Sequence, residues 1–574
     1  MTIYQTLLAR GYFPKELPPA FFTDSFAKYA TTKVGRSTIS AYTPTDNFTE
    51  CFLYRLALPG LGRRELRIPH PASFAKLSAL AAKNFSRLLK ASGSPFSRSR
   101  PAYAPDRQRA LRTAVHPANL ARERAAVRAG ASYLLKTDVS QFYPALYTHA
   151  VGWAVDPKLR KKANWSNRKL LGKLLDQALM DLDGKVSQGI PIGNDLSFLL
   201  AEIVLAQVDK AIRVAGSRAY RWFDDYEIAF DTNDQAEGAL KRLSKELTKF
   251  RLRLNQKKTT IVRLPHPAEE EWQEVLKQAG ASRFTAPREM VGYFDTAFRL
   301  REKFPDVPIL LYTLGILFKI ARPSPDVARI AQSCITQTLL CEPGAAQKVF
   351  ALLTYWRLNG LVLDDSLISD TINQMVVRHH ASGFSSDIAW SLAFCIEQGY
   401  KLNSKSAQVL SNFDDDCIAL QALHMRKAGL LPKGFSDRRI SNALKDADLD
   451  REHWLIAYET VRHGFLKVCE AAVKANPLFA QLLKSKVTFY RTTLPSYGVI
   501  IHPGGAPEQV VRNWISSLKK ERTGEVGTPG TKAAETPTLK LIEEDLSKIS
   551  QLPSSSEETV ISLMDLSTSA WDVY

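Results

Sequence analysis

The chain has 574 residues, of which 45% are hydrophobic and 24% charged, so it is typical of a globular protein and too long for one core. We therefore expect two to four domains. It has no run of about 18 apolar residues and no signal-peptide pattern at its start, so neither a membrane span nor secretion is expected. Six cysteines without a CxxC pair predict reduced thiols in a cytoplasmic protein.

The net charge of +19 is concentrated toward the N-terminus. Between Arg63 and Arg128, fifteen Lys or Arg residues accompany only three acidic residues. A stretch with one sign of charge favours a polyanion such as a nucleic acid as partner. A basic surface without any partner is the alternative.

Composition divides the chain into four regions. Residues 1–130 are basic and contain Ser-, Pro- and Gly-rich loops, whereas residues 131–300 alternate strand-like and helix-like patterns. Residues 301–515 carry successive amphipathic segments, which predict stacked helical hairpins without a fixed sequence period. Residues 516–574 are rich in Thr, Ser, Glu and Lys, which predicts a flexible tail.

The second region predicts its elements in a clear order. An apolar run at residues 133–135 predicts a strand, and apolar residues at 3–4 spacing in 196–212 predict a buried helix capped by Asn194 or Asp195. Residues 219–230 predict a strand hairpin, and residues 236–255 an amphipathic helix. Further helices are predicted at 326–340, 365–380 and 387–400.

Two adjacent aspartates, Asp224 and Asp225, interrupt the predicted hairpin. Solvated acids in a turn are the simplest interpretation, because Asp is common there. Asp138, however, also follows a strand-like run, and two neighbouring strands would bring all three carboxylates to one sheet edge. Such a cluster would repel itself unless cations neutralise it, and two Mg²⁺ about 4 Å apart, or Mn²⁺ in their place, would do so.

Two further segments could contact a nucleotide. Gln188-Gly189 and residues 191–193 form an irregular stretch that could lay backbone against a base pair. In residues 252–262, Lys257 or Lys258 could reach a triphosphate.

In this order, the motifs resemble the palm of reverse transcriptases. The matching segments are motif A at 138–144, motif B (QGIPIG) at 188–193, motif C (WFDD) at 222–225 and motif D (LNQKKT) at 254–259, with a fingers-like segment at 64–77. The resemblance covers about residues 60–300. It implies an α+β reverse transcriptase of the fingers–palm, right-hand type, followed by an all-α helical-repeat domain.

Within this family, the segments look most like bacterial abortive-infection and defence-associated reverse transcriptases of the unknown groups. Those enzymes pair a polymerase with a C-terminal helical domain. One departure is Trp222, where motif C usually begins with Tyr. The VTG-like element of retron enzymes and the zinc-binding cysteines of intron endonucleases are missing from the sequence.

The resemblance assigns the catalytic and metal-binding roles to Asp138, Asp224 and Asp225, with two Mg²⁺ as cofactors. Tyr143 would be the steric gate that excludes a ribose 2′-hydroxyl, with a packed aromatic as the alternative. Its other implied nucleotide contacts are Gln188, Gly189, Lys258 and Arg67. Gln188 and Gly189 could instead form a structural turn, and Lys257 competes with Lys258.

The implied function is a cytoplasmic bacterial DNA polymerase of antiphage defence that uses deoxynucleoside triphosphates and assembles as a homo-oligomer. It could work without a template and be primed by its own tyrosine; Tyr574, Tyr42 and Tyr54 are the candidates. One alternative is an RNA-templated enzyme that copies a dedicated noncoding RNA. The other is a non-catalytic nucleic-acid-binding scaffold, although a scaffold gains nothing from three crowded carboxylates. An Arg-x6-His spacing at Arg109 and His116, known from some ribonucleases, is better explained by chance.

Overall fold

The computed structural model describes residues 1–493 except 61, 106–108, 168, 214–217, 283, 321 and 413–414. The predicted tail at 516–574, and Tyr574 with it, lies outside the described residues.

The N-terminal region consists of short helices and two small antiparallel hairpins. Its elements are α1 (Ile3–Arg10), α2 (Asp24–Thr31), α3 (Lys33–Ala41), β1 (Phe52–Ala57), β2 (Arg63–Ile68), α4 (Pro71–Lys83), α5 (Phe85–Ala91), β3 (Pro101–Tyr103), β4 (Leu111–Thr113) and α6 (Leu120–Arg128). Strand β1 pairs with β2, and β3 pairs with β4.

The central region is built on a four-stranded antiparallel sheet in the order β6-β7-β5-β8. Its elements are β5 (Tyr133–Asp138), α7 (Phe142–Ala145), α8 (Thr148–Val155), α9 (Leu171–Asp181), α10 (Asp195–Ile212), β6 (Arg218–Trp222), β7 (Asp225–Phe230), α11 (Asn233–Thr248) and β8 (Thr260–Arg263). Both faces of the sheet are covered, since Leu134 packs with Val127 of α6 while Leu135 enters the main core.

The helix predicted at 196–212 is confirmed as α10, most of whose residues are buried. Asn194 is its N-cap, and its side chain accepts the Ser197 N–H at 2.8 Å. Asp195 has a different role, because its carboxylate accepts the Leu111 N–H at 2.9 Å and pairs with Arg109. The predicted hairpin is confirmed as β6–β7.

The C-terminal region is all-helical over the described residues. Two helices lead into it, α12 (Glu271–Ala279) and α13 (Pro287–Lys303). Its own helices are α14 (Ile309–Leu317), α15 (Pro325–Cys341), α16 (Ala346–Leu358), α17 (Asp365–Ser382), α18 (Ser385–Gln398), α19 (Ser404–Leu410), α20 (Asp416–Lys427), α21 (Arg438–Leu444), α22 (Trp454–Arg462), α23 (Glu470–Ala475) and α24 (Pro477–Lys484). The predicted helices at 326–340, 365–380 and 387–400 are confirmed as α15, α17 and α18. In the described ranges no helix combines the length and apolarity that crossing a membrane would require.

The helical region packs directly against the N-terminal region. The Ser386 hydroxyl of α18 accepts the Ala57 N–H of β1 at 2.9 Å, and the Trp390 indole donates to the Glu16 carbonyl at 2.8 Å. After α24, the backbone at Phe489 accepts the Phe22 N–H at 3.0 Å. The first and last described segments are therefore in contact.

Candidate active site

Strands β5 and β7 bring the three candidate carboxylates to one end of the sheet. In their antiparallel register Asp138 lies opposite Asp225, and the Val139 N–H donates to the Asp224 carbonyl at 3.2 Å. Phe223 and Asp224 form the two-residue turn between β6 and β7, with Trp222 paired to Asp225 across it. The sheet therefore juxtaposes motifs A and C, as the sequence predicts.

The turn is held in an uncommon backbone conformation. Phe223 has a φ of 51°, which a non-glycine residue rarely adopts without support. The Ser99 hydroxyl accepts the Phe223 N–H at 2.8 Å, and Arg221 Nη1 donates to the Phe223 carbonyl at 2.6 Å. Both backbone polar groups of Phe223 are thus hydrogen-bonded, and these bonds fix the position of the adjoining Asp224 backbone.

A buried ionic network lies beneath this turn. The Arg221 guanidinium is fully buried, with Nη1 2.9 Å from Glu202 Oε1 and Nη2 2.8 Å from Asp209 Oδ2. Ser97 and Ser99 each donate to a different oxygen of Glu202 at 2.9 Å. A buried charge is costly unless it is paired and hydrogen-bonded, and here both conditions are met.

The electrostatics of the carboxylates reflect their crowding. Burial, together with the charges of Asp225 and Asp138, raises the pKa of Asp224 to about 8, and Lys258 partly opposes this rise. Burial also raises the pKa of Asp225 to about 6, with Lys258 again lowering it and Asp138 raising it. The site therefore disfavours full ionisation unless a cation compensates.

Motif D supplies one such cation. Lys258 Nζ lies 2.8 Å from Asp138 Oδ2, and the segment is tied to β5 because the Asn255 N–H donates to the Asp138 carbonyl at 2.9 Å. The hydroxyls of Thr137 and Thr259 are also 2.7 Å apart. Of the two lysines left open by the sequence, it is Lys258 that pairs with the carboxylates.

The donor atoms fit a hard divalent cation. Asp138 Oδ1 and Asp224 Oδ1 are buried and make no hydrogen bond within the described part of the chain. Carboxylate oxygens are the ligands that Mg²⁺ prefers. Among the described residues, however, no three His, Cys, Asp or Glu side chains are grouped closely enough to hold one ion. The three-carboxylate metal site therefore stays a prediction.

Motif B lies against motif A. Gly189 has a φ of 85°, and its N–H donates to the Leu146 carbonyl at 3.0 Å. Gln188 is exposed and bridges to Tyr147, while the Ile190 N–H donates to the Tyr143 carbonyl at 3.3 Å. A Cβ at Gly189 would lie at ordinary contact distance, 3.4 Å, from the Pro144 carbonyl oxygen, so it is the positive φ that favours glycine here.

Tyr143 is buried beside these segments, with 7% of its surface exposed. Burial, followed by Glu202 and Asp224, raises the pKa of its phenol, whereas Arg64 lowers it. The ring therefore stays protonated and close to the carboxylates. Its role as a sugar gate stays a prediction.

A model of the family "reverse transcriptase (RNA-dependent DNA polymerase)" matches residues 77–281. Residues 77–281 form a reverse transcriptase domain. The domain contains all four motifs and assigns the chain a nucleotidyltransferase activity, that of an RNA-directed DNA polymerase. The predicted fold class, an α+β reverse transcriptase followed by a helical domain, is confirmed.

Other comparisons add little to this assignment. No curated protein matches the chain significantly. Telomerase from Candida albicans, solved with a fragment of telomeric RNA, is 10% identical, with 64% of this chain and 69% of that chain covered at a TM-score of 0.27. Apo telomerase from Candida tropicalis is 12% identical, with 65% and 70% covered at a TM-score of 0.31. Likenesses this weak carry no argument.

Arg67 joins the N-terminal hairpin to the reverse transcriptase domain. Its side chain pairs with Asp183, and its N–H donates to the Ile192 carbonyl of motif B at 3.2 Å. The side chain is 40% exposed, which leaves part of it accessible. Contact with a triphosphate stays a prediction for Arg67.

Part of the basic stretch at 63–128 is engaged in ion pairs within the protein, so not all of its charge faces a polyanion. At least six of its fifteen basic residues pair with carboxylates, namely Arg67, Arg87, Arg98, Arg109, Arg124 and Arg128. Sequence alone could not show this, because five of the six contact acids that lie outside the stretch. Arg109 also donates to the Phe13 carbonyl at 2.5 Å, so its side chain has a structural role.

The structure corrects the expectation that Tyr42 and Tyr54 are accessible for priming. Tyr42 is 6% exposed, and its hydroxyl donates to Asp450 and accepts from Asn476 Nδ2 at 3.1 Å. Tyr54 is fully buried and donates to the Glu16 carbonyl at 3.2 Å. Burial raises the pKa of both phenols, so neither is suited to act as a nucleophile.

The residues that sequence analysis missed are Arg221, Glu202, Asp209 and Ser99. A signal for them existed, because Glu202 and Asp209 lie seven residues apart in an otherwise apolar helix, which places both on one face. Arg221 likewise stands between strand residues that are buried. Acids on a buried helix face need a cation nearby to compensate their charge. Arg221, which directly precedes motif C, is the residue that provides it.

Proposed function

We propose that this chain polymerises deoxynucleotides at the end of strands β5 and β7, with Asp138, Asp224 and Asp225 holding two Mg²⁺. The observation that carries this proposal is the register that sets Asp138 opposite Asp225, while two buried carboxylate oxygens have no hydrogen-bond partner among the residues that the structure describes. Bound Mg²⁺ would neutralise the carboxylates and lower the pKa of the attacking hydroxyl. Mn²⁺ is the alternative ion.

The chain's own residues would then position the nucleotide. Tyr143, buried against motif B, would exclude a 2′-hydroxyl, and Gln188 and Gly189 would lie along the incoming base and sugar. Lys258, held 2.8 Å from Asp138 and half exposed, would turn toward a triphosphate and donate a proton to the leaving pyrophosphate. Arg67 would add a second cation to the phosphates.

The direct test is incorporation of labelled deoxynucleoside triphosphates by the full chain, with Asp224→Asn as the inactive control. Incorporation by the wild type that is lost in the variant is expected. Equal incorporation by both proteins would overturn the assignment of the carboxylates.

The biological role that we propose is antiphage defence in a bacterial cytoplasm, with self-association through the helical region. Motif segments similar to those of abortive-infection reverse transcriptases support the role, and a helical region that follows the polymerase supports the assembly. The measurements are phage plating with wild-type and Asp224→Asn genes, and light scattering of the full chain. Equal phage plating on cells carrying either gene would contradict the role. A monomer at micromolar concentration would contradict the assembly.

Two modes of synthesis remain distinct proposals. Template-independent synthesis primed by a tyrosine is supported by the resemblance alone, and of the three candidate residues only Tyr574 keeps this role, since Tyr42 and Tyr54 are buried. RNA-templated synthesis is favoured by the reverse transcriptase match at 77–281. Labelled product that stays on a tyrosine peptide after denaturation and digestion would support the first. Free DNA whose sequence matches a co-purified RNA would support the second. The scaffold alternative loses its basis with the assignment of a polymerase domain.

A further inference from the structure

A line of ring and cationic side chains runs across the surface beside motifs A and B. The guanidinium carbon of Arg251 lies 4.4 Å from the Tyr147 ring centre, Tyr147 lies 4.5 Å from His149, and His149 lies 4.6 Å from Trp165. Lys173 Nζ ends the line, 4.7 Å from the Trp165 ring centre. We call these five side chains the aromatic ladder.

The aromatic ladder begins next to motifs A and B. Tyr147 bridges to Gln188 of motif B. Arg251 precedes Arg253, whose carbonyl accepts the N–H of Ser140, two residues beyond Asp138, at 2.9 Å. A strand that leaves the catalytic carboxylates over this surface would meet Tyr147 first and Trp165 later.

The surroundings of the aromatic ladder are strongly basic. Residues 157–175 contain seven Lys or Arg and no Asp or Glu. Among the described ones, the side chains that are exposed are Lys158, Arg160, Lys161, Lys162 and Lys169. The acids on either side of this stretch are already engaged, because Asp156 pairs with Arg87, while Asp176 is buried against Thr148, His149 and Lys173.

The rings are arranged to remain accessible. Tyr147, His149 and Trp165 are each partly exposed. Arg251 lies over the Tyr147 ring and Lys173 over the Trp165 ring, and both rings stay partly exposed beneath these cations. Partly exposed aromatic rings between exposed cations are the combination that binds single-stranded nucleic acid, in which bases stack on rings and phosphates meet Lys and Arg. A duplex would keep its bases stacked on each other and could use only the cations.

We propose that the aromatic ladder binds a single-stranded segment of nucleic acid outside the catalytic centre, with Lys161 and Lys162 contacting its phosphates and Trp165 stacking on a base. The inference rests on the proposed polymerase function and names the surface along which its template or product strand runs. DNA and RNA share the chemistry that this surface recognises.

The test is fluorescence anisotropy of a labelled oligonucleotide of about 15 nucleotides, as DNA and as RNA, added to the full chain without nucleoside triphosphates. Trp165→Ala should weaken binding about 5-fold to about 150-fold, the range for one base–ring stack, and Trp165→Phe should restore most of it. The double variant Lys161→Ala/Lys162→Ala should reduce the slope of log affinity against log salt by about 1.4. The matched control is Lys433→Ala/Lys467→Ala, which removes two exposed lysines of the helical region and should change neither quantity.

Three results would overturn the proposal. These are unchanged affinity in the Trp165 and Lys161/Lys162 variants, an equal loss in the control variant, and displacement by polyglutamate at the same charge concentration, which would indicate a surface for acidic proteins. Whichever of DNA or RNA binds more tightly to the wild type, and loses more in Trp165→Ala, identifies the strand. Asp224→Asn should abolish incorporation and leave the anisotropy unchanged, so failure of the polymerase proposal and failure of this one are distinguishable.

Discussion

Ser99→Ala should reduce nucleotide incorporation far more than its effect on stability explains. The Ser99 hydroxyl is buried, accepts the Phe223 N–H at 2.8 Å and donates to Glu202 Oε1 at 2.9 Å. Its removal leaves a buried N–H without a partner in the turn that carries Asp224, at a cost of about 1–3 kcal/mol. The fold should survive, because Arg221 still holds the Phe223 carbonyl and both acids beneath it.

The expected kinetic effect is larger because catalysis depends on position. Phe223 has a φ of 51°, so without its N–H bond the turn can relax toward a commoner backbone conformation and displace Asp224. A displacement on the order of 1 Å at a catalytic group can lower the rate about 100-fold. We therefore expect kcat to fall about 10- to 100-fold while KM for the nucleotide changes little, since Ser99 touches no predicted nucleotide contact.

Ser97→Ala is the matched control. Its hydroxyl is also buried, donates to Glu202 Oε2 at 2.9 Å and lies 3.2 Å from the Ser99 hydroxyl, but within the described structure it makes no bond of its own to Phe223. Both variants should lose a similar free energy of unfolding in urea, whereas only Ser99→Ala should lose kcat. Equal kinetic losses in the two variants, or full kcat in a destabilised Ser99→Ala protein, would refute the positioning role of Ser99.

The remaining predictions concern the carboxylates, the sugar gate and motif D. In EDTA, the wild-type free energy of unfolding should fall as pH rises from about 4 to about 8, because the raised pKa of Asp224 makes the folded state bind its proton more tightly than the unfolded state does. Asp224→Asn should remove most of this fall, which has an upper limit of about 6 kcal/mol, and should also remove the stabilisation by added Mg²⁺. A pH profile unchanged by the substitution would show that Asp224 does not titrate there. Tyr143→Ala should raise ribonucleotide kcat/KM relative to deoxynucleotide, and Tyr143→Phe should not; an unchanged preference would assign the ring to packing. Lys258→Ala should lower kcat and Lys257→Ala should not, and equal effects would contradict the pairing with Asp138.

Local pattern was enough to predict the elements that form the site. The alternation in 219–230 predicted β6–β7, and the spacing of apolar residues predicted α10 with Asn194 as its cap. These predictions succeed because the periods of strands and helices appear in the spacing of residues that are close in sequence. The same patterns predicted that Asp138 and Asp225 lie close together, since each aspartate stands at the end of a strand.

Long-range pairing could not be predicted in this way. Arg67 and Asp183 lie 116 residues apart, and Tyr42 and Asp450 lie 408 residues apart. No local period relates such positions, so the sequence could not show which basic residues of the 63–128 stretch pair with distant carboxylates. Arg221 is the clearest case. An arginine in a sequence is usually taken as a surface charge, but this one is buried and its side chain holds the turn that carries Asp224.

The contact between the two ends of the described chain has a consequence for biosynthesis. Ser25 donates to the Thr488 carbonyl, and these residues are 463 positions apart. At about 5–20 residues per second, a ribosome would need roughly 25–90 s to make the second partner after the first. During that interval α2 lacks the segment that it contacts through Ser25 and Phe26, although the catalytic motifs have already been synthesised. A truncated product that ends before about residue 490 would therefore keep every catalytic aspartate and still lack the partner of its N-terminal region.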